Sequence, residues 1–237
     1  MNGSQPSPPD ASGAQPDEPG PTEWQSGTAP AVGVGPWAVE YPDLPVPDDP
    51  RYDPELLDEG DTRNVVDAYR YWTREAIVAD LDTRRHDFHV AIENFAHDAN
   101  IGTVVRTANA FGARAVHIVG RRRWNRRGAM VTDRYQHLMH HATVGDLLDW
   151  ARAQGLTVVA VDNTPGAQPL ETVDLPRNCL LLFGQEGPGV SDDAQQYAEL
   201  TVSIAQFGST RSINAGVAAG IAMHAWVRAH ADLGRAW

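Results

Sequence analysis

Three polar segments of this chain contain residues whose types and spacing could act on a ligand. The first contains Asn100 and Arg106, which are six positions apart. The third contains Ser212 and Asn214. The second is rich in glycine and contains Gly184, Glu186, Gly187 and Gly189. Glycines allow positive φ angles and close approach of a ligand to the backbone, and the polar side chains could bind and orient that ligand.

The glycine-rich segment does not match the common phosphate-binding loops. Its glycines are spaced G-x-x-G-x-G and occur late in the chain, at residues 184–189. A P-loop would continue with Gly-Lys-Ser or Gly-Lys-Thr, and the dinucleotide fingerprint has another spacing. This argues against a nucleotide-dependent oxidoreductase, which stays open as a weaker alternative.

Each polar segment follows a predicted strand. Hydrophobic patterns predict strands over residues 86–95, 115–120, 156–162, 179–184 and 200–205, and helices over residues 63–82, 100–112, 145–154 and from Ser212 onward. Such alternation predicts an α/β domain with a mostly parallel sheet. Ligands of these sheets bind beyond the carboxyl ends of the strands. We therefore expect residues 96–100, 184–191 and 205–214 to meet in one site.

The last helix contains many small residues. Ser212 is a predicted N-cap, because its hydroxyl can accept a hydrogen bond from the first turn. Gly216 and Gly220 then lie in the helix interior, where glycine costs about 1 kcal/mol relative to alanine. These two glycines predict that another backbone or a ligand approaches the helix closely.

Composition divides the chain into three parts. Residues 1–60 contain 12 acidic residues and one arginine, whereas residues 61–237 contain 19 acidic residues and 18 arginines. Residues 1–38 are rich in Pro, Gly and acid and predict a disordered tail. Residues 39–85 predict an N-terminal extension with helices, and residues 86–237 form the predicted main domain.

A basic loop follows the second predicted strand. It contains five arginines and one tryptophan: Arg121, Arg122, Arg123, Trp124, Arg126 and Arg127. Arginines pair with phosphates, and an indole ring can stack on a base. The loop is therefore a predicted RNA contact, with a merely solvated loop as the alternative.

Other features predict no metal site and no reactive thiol. His137, His140 and His141 have a spacing that would place them on one face of a helix, but no acidic residue or cysteine lies nearby in the sequence. The single cysteine, Cys179, lies in an apolar run and is expected to be a buried hydrophobic residue. Without an apolar run long enough to span a membrane, and without a secretory signal, we expect a cytoplasmic location.

The three polar segments, in their order and spacing, resemble the signature motifs of the SpoU (TrmH) family of RNA methyltransferases in the SPOUT superfamily. Asn100-Ile-Gly-x3-Arg106 resembles the first motif. Leu182-Phe-Gly-Gln-Glu-Gly-Pro-Gly-Val-Ser191 resembles the second, and the motif that begins Ser212-Ile-Asn214 resembles the third. The resemblance implies an α/β fold with a deep C-terminal trefoil knot. It also implies a homodimer that binds S-adenosylmethionine and methylates a ribose 2′-hydroxyl in tRNA or rRNA.

The resemblance also implies residue roles. The catalytic set would be Asn100, Arg106, Glu186, Ser212 and Asn214, and the cofactor would be held at Gly184, Gly187, Gly189, Ile204 and Ile213. Arg106 would help to deprotonate the hydroxyl with assistance from a substrate phosphate. Because arginine normally stays protonated, a phosphate clamp is the second role that remains open. The other interpretation of the whole chain is a non-catalytic RNA-binding or assembly protein on the same scaffold.

Overall fold

A computed structural model describes residues 33–95, 98, 100–185 and 187–235 and shows a sheet of seven strands in that part of the chain. The strands are β1 (His89–Asn94), β2 (Val116–Gly120), β3 (Leu138–His141), β4 (Thr157–Val161), β5 (Gln168–Pro169), β6 (Cys179–Phe183) and β7 (Leu200–Ser203). Their order across the sheet is β3-β2-β1-β6-β4-β7-β5, and all of these neighbours pair in parallel. The predicted α/β fold with a parallel sheet is confirmed, and the knot stays a prediction.

Helices connect the strands and precede the sheet. Among the described residues they are α1 (Trp37–Glu40), α2 (Pro54–Glu59), α3 (Arg74–Asp82), α4 (Ile101–Ala110), α5 (Val144–Ala153), α6 (Asp192–Tyr197) and α7 (Ala215–His230). The predicted strands and helices of the main domain are all present, with ends shifted by a few residues. The patterns missed α6, β3 and β5, which are short. No helix in the described part of the chain is long and apolar enough to span a membrane.

The sheet is covered on both faces, and β6 lies near its centre. Leu181 and Phe183 belong to the core cluster that includes residues of α4 and α7. Leu180 and Leu182 belong to the opposite cluster, which includes residues of α5. This explains why β6 is a continuous apolar run. Cys179 is buried in the same strand, and burial raises the pKa of its thiol to about 12, as expected for a hydrophobic core residue.

The small residues of α7 face α4. A Cβ atom on Gly216 would lie 3.1 Å from Thr103 Cγ2, and one on Gly220 would lie 3.8 Å from Thr107 Cγ2. Gly216 therefore leaves no spare room for a side chain. The two helices that follow the first and third polar segments are in direct contact, which sets the relative position of those segments.

Two residues at the start of the described chain contact the N-terminal extension. The sequence predicts that residues 33–38 belong to the tail. In the structure, the backbone of Val34 exchanges two hydrogen bonds of 2.9 Å with the backbone of Asp61. The hydroxyl of Tyr71 also donates to the Gly35 carbonyl at 2.7 Å. These contacts tie Val34 and Gly35 to the extension, and the predicted boundary at residue 39 stays a prediction. The rest of the predicted tail, residues 1–32, lies outside the described residues.

A buried arginine joins the extension to the sheet domain. Arg85 lies just beyond α3, and its guanidinium donates to Asp82, to the Gln136 side chain at 2.8 Å and to the Tyr135 carbonyl at 2.7 Å. Its side chain is almost fully buried. Since a buried charge is tolerated only when it is paired and hydrogen-bonded, this network fixes α3 against residues 135–136.

Of the three histidines near residue 140, His140 and His141 lie on β3, His137 immediately precedes that strand, and none lies on a helix. His137 contacts Asp82, His140 contacts the Gly120 carbonyl, and His141 faces the interior of the sheet domain. His140 and His141 are adjacent on the strand and point to opposite faces, and His137 and His141 bind different partners, so the three imidazoles do not converge on one point. They therefore do not share a site, whatever their sequence spacing indicated.

His141 instead belongs to a chain of three imidazoles. His89 Nδ1 lies 3.0 Å from His117 Nε2, and His117 Nδ1 lies 2.9 Å from His141 Nε2. Trp150 packs on the His117 ring at a centroid distance of 4.3 Å. Burial lowers the pKa of His89 to about 4 and that of His117 to about 2, and it also lowers the pKa of His141. These three imidazoles are therefore neutral at physiological pH.

This imidazole chain predicts a loss of stability in mild acid. Below a pH of about 6.5, the unfolded chain binds protons on histidines that remain neutral in the folded protein. The free energy of unfolding should therefore fall with pH, by about 1.4 kcal/mol per pH unit for each histidine held neutral. Urea unfolding at a series of pH values between about 7.5 and 5 measures this slope.

A pair of variants tests the assignment of that slope. His117→Asn should be less stable near neutral pH but should lose free energy less steeply in acid, by about one proton. His224→Asn, which removes an exposed histidine of α7, should keep the wild-type slope. An unchanged slope in His117→Asn would contradict the proposed neutral chain.

Candidate active site

A cleft opens beyond the carboxyl ends of β6, β4 and β7. Its volume is about 560 Å³, within the range of small-molecule sites. It is lined by residues 161–164, 183–185, 187–190, 195, 204, 206, 212–215 and 218. The second and third polar segments therefore meet in one cavity, at the edge of the sheet where the sequence places them.

The glycine-rich loop forms one wall of this cleft and turns back tightly on itself. The backbones of Gln185 and Gly189 exchange two hydrogen bonds of 3.1 Å across the turn. A Cβ atom on Gly184 would lie only 1.9 Å from the Gly189 carbonyl carbon. Gly187 and Gly189 have φ angles of 91° and 75°, which favour glycine. Each of these three glycines is therefore required by the shape of the loop.

The first and third polar segments are joined by two asparagines. Asn214 Nδ2 donates to Asn100 Oδ1 at 2.9 Å. Asn214 is also the N-cap of α7, because its Oδ1 accepts from the N–H groups of Gly216 and Val217. The predicted cap, Ser212, is two residues too early. Asn100 occupies the N-cap position of α4, but its side chain makes no capping bond and is instead directed to Asn214.

The predicted residues divide into three groups by position. Those that line the cleft are Gly184, Gly187, Gly189, Ile204, Ser212, Ile213 and Asn214. Asn100 touches this group through Asn214 but does not line the cleft itself. Arg106 is exposed on α4 and does not line it either. Glu186 lies outside the described residues, so its predicted role stays a prediction.

The basic loop lies against the start of α4. A Cβ atom on Gly102 would lie 2.7 Å from the backbone N of Ala129, so these two segments touch at their backbones. Asn94, at the end of β1, donates its side-chain N–H groups to the carbonyls of Arg121 and Arg123, at 2.7 and 3.1 Å. The loop therefore has a defined position beside the first polar segment.

The side chains of the basic loop differ in the contacts that they make with the rest of the protein. Trp124 is half-buried against the core, and the Arg126 guanidinium lies 5.5 Å from its ring centroid. Arg126 also pairs with Asp133 at 2.9 Å. The side chains of Arg122, Arg123 and Arg127 are exposed and make no ion pair with the described residues. Trp124 is thus partly occupied by packing, and its predicted stacking on a base stays a prediction.

Sequence reasoning missed one strand end that belongs to the site. Asp162 and Asn163 follow β4 and line the cleft. The Asp162 carboxylate accepts from the backbone N–H of Val190 at 2.7 Å, and Asn163 Nδ2 donates to the Arg211 carbonyl at 2.8 Å. The rule that ligands bind beyond carboxyl ends of strands would have identified them, because the predicted strand ended at Asp162.

The described lining of the cleft contains one carboxylate and one buried side-chain oxygen that accepts no hydrogen bond. Asp162 is the charged residue among the described lining residues, and no arginine lines the cleft. Gln206 also lines it, and its Oε1 is buried without a hydrogen-bond partner in the described structure. A buried acceptor without a partner is unfavourable. The cleft therefore suits a ligand with hydrogen-bond donors and positive charge, and it suits a pyrophosphate poorly.

One known protein family matches most of the sheet domain. Residues 87–224 match the sequence profile described as the SpoU rRNA Methylase family. This match spans all three polar segments and more than half of the chain.

Two similar proteins are named as RNA methyltransferases. The tRNA (guanosine(18)-2′-O)-methyltransferase of Escherichia coli (strain K12) is 28% identical over 156 residues, which cover 64% of this chain and 68% of the relative. An uncharacterized tRNA/rRNA methyltransferase of Mycobacterium avium (strain 104) is 33% identical over 141 residues, which cover 56% of this chain and 45% of the relative.

Solved structures share the fold. The SpoU methyltransferase AviRb of Streptomyces viridochromogenes, in complex with the cofactor AdoMet, matches with a TM-score of 0.56 and 27% identity over 63% of this chain and 60% of its own. The TrmH/SpoU tRNA modifying enzyme of A. aeolicus matches with a TM-score of 0.59 and 22% identity over 66% of this chain and 81% of its own. The second match supports the fold alone.

The asparagine link predicts a measurable coupling between the two helix starts. Asn214→Ser should keep a capping oxygen for α7 but remove the donor to Asn100. We expect Asn100→Ala to cost about 1 kcal/mol in the wild-type protein and close to nothing in the Asn214→Ser background. Urea unfolding of the four proteins measures this coupling. Equal costs in both backgrounds would show that the two side chains do not interact.

Proposed function

This chain belongs to the SpoU rRNA Methylase family, and we propose that it transfers a methyl group from S-adenosylmethionine to a ribose 2′-hydroxyl of tRNA or rRNA. The observation that carries the proposal is the cleft between the glycine-rich loop and residues 204–214. Its position beyond the carboxyl ends of parallel strands is the one expected for a ligand site in such a sheet.

The residues that line the cleft fit S-adenosylmethionine. The cofactor carries a sulfonium and an ammonium group, and Asp162 supplies a negative charge without a competing arginine in the lining. The buried Gln206 Oε1 offers an acceptor to one of its N–H or O–H groups. We propose that Gly184, Gly187, Gly189, Ile204 and Ile213 hold the cofactor through their backbones, because glycine and aliphatic positions present little other polarity.

When bound, S-adenosylmethionine supplies an electrophilic methyl group. The residues of this chain must then place a ribose hydroxyl in line with it and help remove the hydroxyl proton. We propose that Ser212 and Asn214, which line the cleft, orient the sugar, and that Asn100 fixes Asn214 through their hydrogen bond. We propose that Glu186 belongs to the same catalytic set as Ser212, Asn214 and Asn100.

Arg106 is proposed as the residue that engages the reacting nucleotide. Its guanidinium is exposed and makes no ion pair with the described residues, so it can take a phosphate. Two roles remain: it clamps a substrate phosphate, or it assists deprotonation of the hydroxyl together with that phosphate. Since a guanidinium stays protonated in proteins, the clamp requires fewer assumptions.

We propose that the active protein is a homodimer. Arg106 does not line the cleft of its own chain, and a second copy offers a way to bring the two together. The exposed face of α7 supports this proposal, because Val217 and Ile221 are 53% and 38% exposed there. A second copy would cover this apolar surface.

We further propose that residues 86–237 form the methyltransferase domain and that the basic loop contacts RNA. The E. coli relative acts on tRNA by its name, which supports tRNA as one substrate class. Because RNA of both classes is found in the cytoplasm, we place the protein there.

The alternative is a non-catalytic RNA-binding protein on the same scaffold. Retention of Asn100, Arg106, Ser212 and Asn214 argues against it. Incubation of RNA with radiolabelled S-adenosylmethionine separates the two. Label in the RNA supports the methyltransferase, and the absence of label from every RNA tested supports the alternative.

Arg106→Ala should lower methyl transfer by at least about 100-fold, the usual effect of removing a group that assists proton transfer or holds the transition state. Its Kd for S-adenosylmethionine, measured by calorimetry, should stay within about twofold of the wild-type value. Arg152→Ala, which removes an exposed helix arginine paired with Asp149, is the control and should affect neither. A large loss of cofactor affinity in Arg106→Ala would contradict the assigned role.

The basic loop predicts a change in the salt dependence of RNA binding. Replacing Arg122, Arg123 and Arg127 together with alanine should reduce the slope of log K against log salt by about 3, since each lost phosphate contact removes about one unit. Arg126→Ala is the matched control and should change the slope less, because Asp133 already neutralises Arg126. Filter binding at several salt concentrations measures the slope. An unchanged slope in the triple variant would exclude the loop from the interface.

A further inference from the structure

The glycine-rich loop is held at its far end by two carboxylates that come from opposite sides of β6. Glu93 is near the end of β1, and Asp162 follows the end of β4. Both of these strands pair directly with β6. The loop that leaves β6 therefore passes between the two carboxylates.

These carboxylates bind successive N–H groups of the loop. Asp162 Oδ2 accepts from the Val190 N–H at 2.7 Å. Glu93 accepts from the Ser191 N–H at 3.0 Å and from the Ser191 hydroxyl at 2.5 Å. Hydrogen bonds to an ionised carboxylate are stronger than neutral ones. They lock residues 190–191 in place immediately after the turn that forms the cleft wall.

Apart from these bonds, burial of the Glu93 carboxyl group is unfavourable for the stability of the fold. It is 1% exposed and makes no ion pair with the described residues. Its burial raises the pKa of its carboxyl group, against the opposing effect of the Ser191 bonds. Since an unpaired buried carboxylate is unfavourable, a hydrophobic residue at this position would stabilise the core more. Its bonds to the N–H and hydroxyl of Ser191 therefore point to a role in the shape of the loop.

The same strand end also fixes the other wall of the cleft. Asn163 Nδ2 donates to the Arg211 carbonyl at 2.8 Å, one residue before Ser212. The Asp162 carboxylate in turn accepts from the Asn163 N–H at 2.7 Å. Residues 162–163 therefore connect the glycine-rich loop with residues 205–214.

We propose that Glu93 and Asp162 are positioning residues for cofactor binding, which hold the glycine-rich loop in the conformation that receives S-adenosylmethionine. The inference rests on the proposed function of the cleft. Glu93 does not line the cleft, so it acts on the cofactor only through Ser191. Asp162 lines the cleft, so besides the negative charge that it offers the cofactor it also positions the loop through Val190.

The test is the Kd for S-adenosylmethionine, measured by calorimetry on folded variants of the full chain. Glu93→Leu and Asp162→Ala remove the acceptors and should each raise the Kd by about tenfold or more. Glu93→Gln keeps a carbonyl acceptor for the Ser191 N–H and should stay within about threefold. In methyl transfer, KM for the cofactor should rise with the Kd, while kcat at saturating cofactor should remain within about threefold.

Glu199→Ala provides a matched control. The Glu199 carboxylate accepts from the Val158 N–H at 2.8 Å, a bond of the same type at the other end of β4. Its loss should lower stability without changing the Kd. If Glu93→Leu does not fold, Asp162→Ala is compared with Asp162→Asn, which keeps an acceptor for the Val190 N–H but removes the charge. A higher Kd in Asp162→Ala than in Asp162→Asn supports the positioning role, and an equal rise in both overturns it.

The outcomes separate this inference from the proposed function. Wild-type affinity in folded Glu93→Leu and Asp162→Ala would overturn the positioning role. An equal rise in the Kd of Glu199→Ala would overturn it as well, because affinity would then follow stability alone. Failure of the wild-type protein to bind S-adenosylmethionine would overturn the proposed function itself.

Discussion

The proposed chemistry depends on one constraint, the parallel pairing of β1, β6, β4 and β7. Parallel strands end at the same edge of a sheet, so the segments that follow these strands are brought to that edge. The glycine-rich loop, residues 162–164 and residues 204–214 line one cleft for this reason. Without the parallel register, residues as far apart in the chain as Val161 and Ala218 could not line one cleft.

Hydrogen bonds around the cleft then set its shape. The Asn100–Asn214 bond ties the first polar segment to the start of α7, and Glu93 and Asp162 hold the glycine-rich loop from both sides. The close packing of Gly216 on Thr103 keeps α4 and α7 together. The described lining contributes backbone groups, the Asp162 carboxylate and several side-chain amides and hydroxyls, which is a suitable environment for a cationic cofactor.

Much of the fold and part of the site could be predicted from the sequence. Strong hydrophobic runs such as that of β6 identified the strands, and the glycines at 184, 187 and 189 marked the loop. Local spacing misassigned residues 137–141, because a strand pairing with β2 overrode the helical pattern. Ser212 was chosen as a cap on residue type, although Asn214 has the better position. Glu93 and Asp162 were missed because only tertiary contacts reveal which backbone groups they bind.

Hydrogen exchange with and without S-adenosylmethionine tests the central claim most directly. The account predicts that the cofactor slows exchange in residues 184–190, 204–214 and 162–164 and leaves the basic loop at residues 121–127 unchanged. No protection at these three segments, or protection confined to the separate cleft between α3 and residues 134–137, would contradict it.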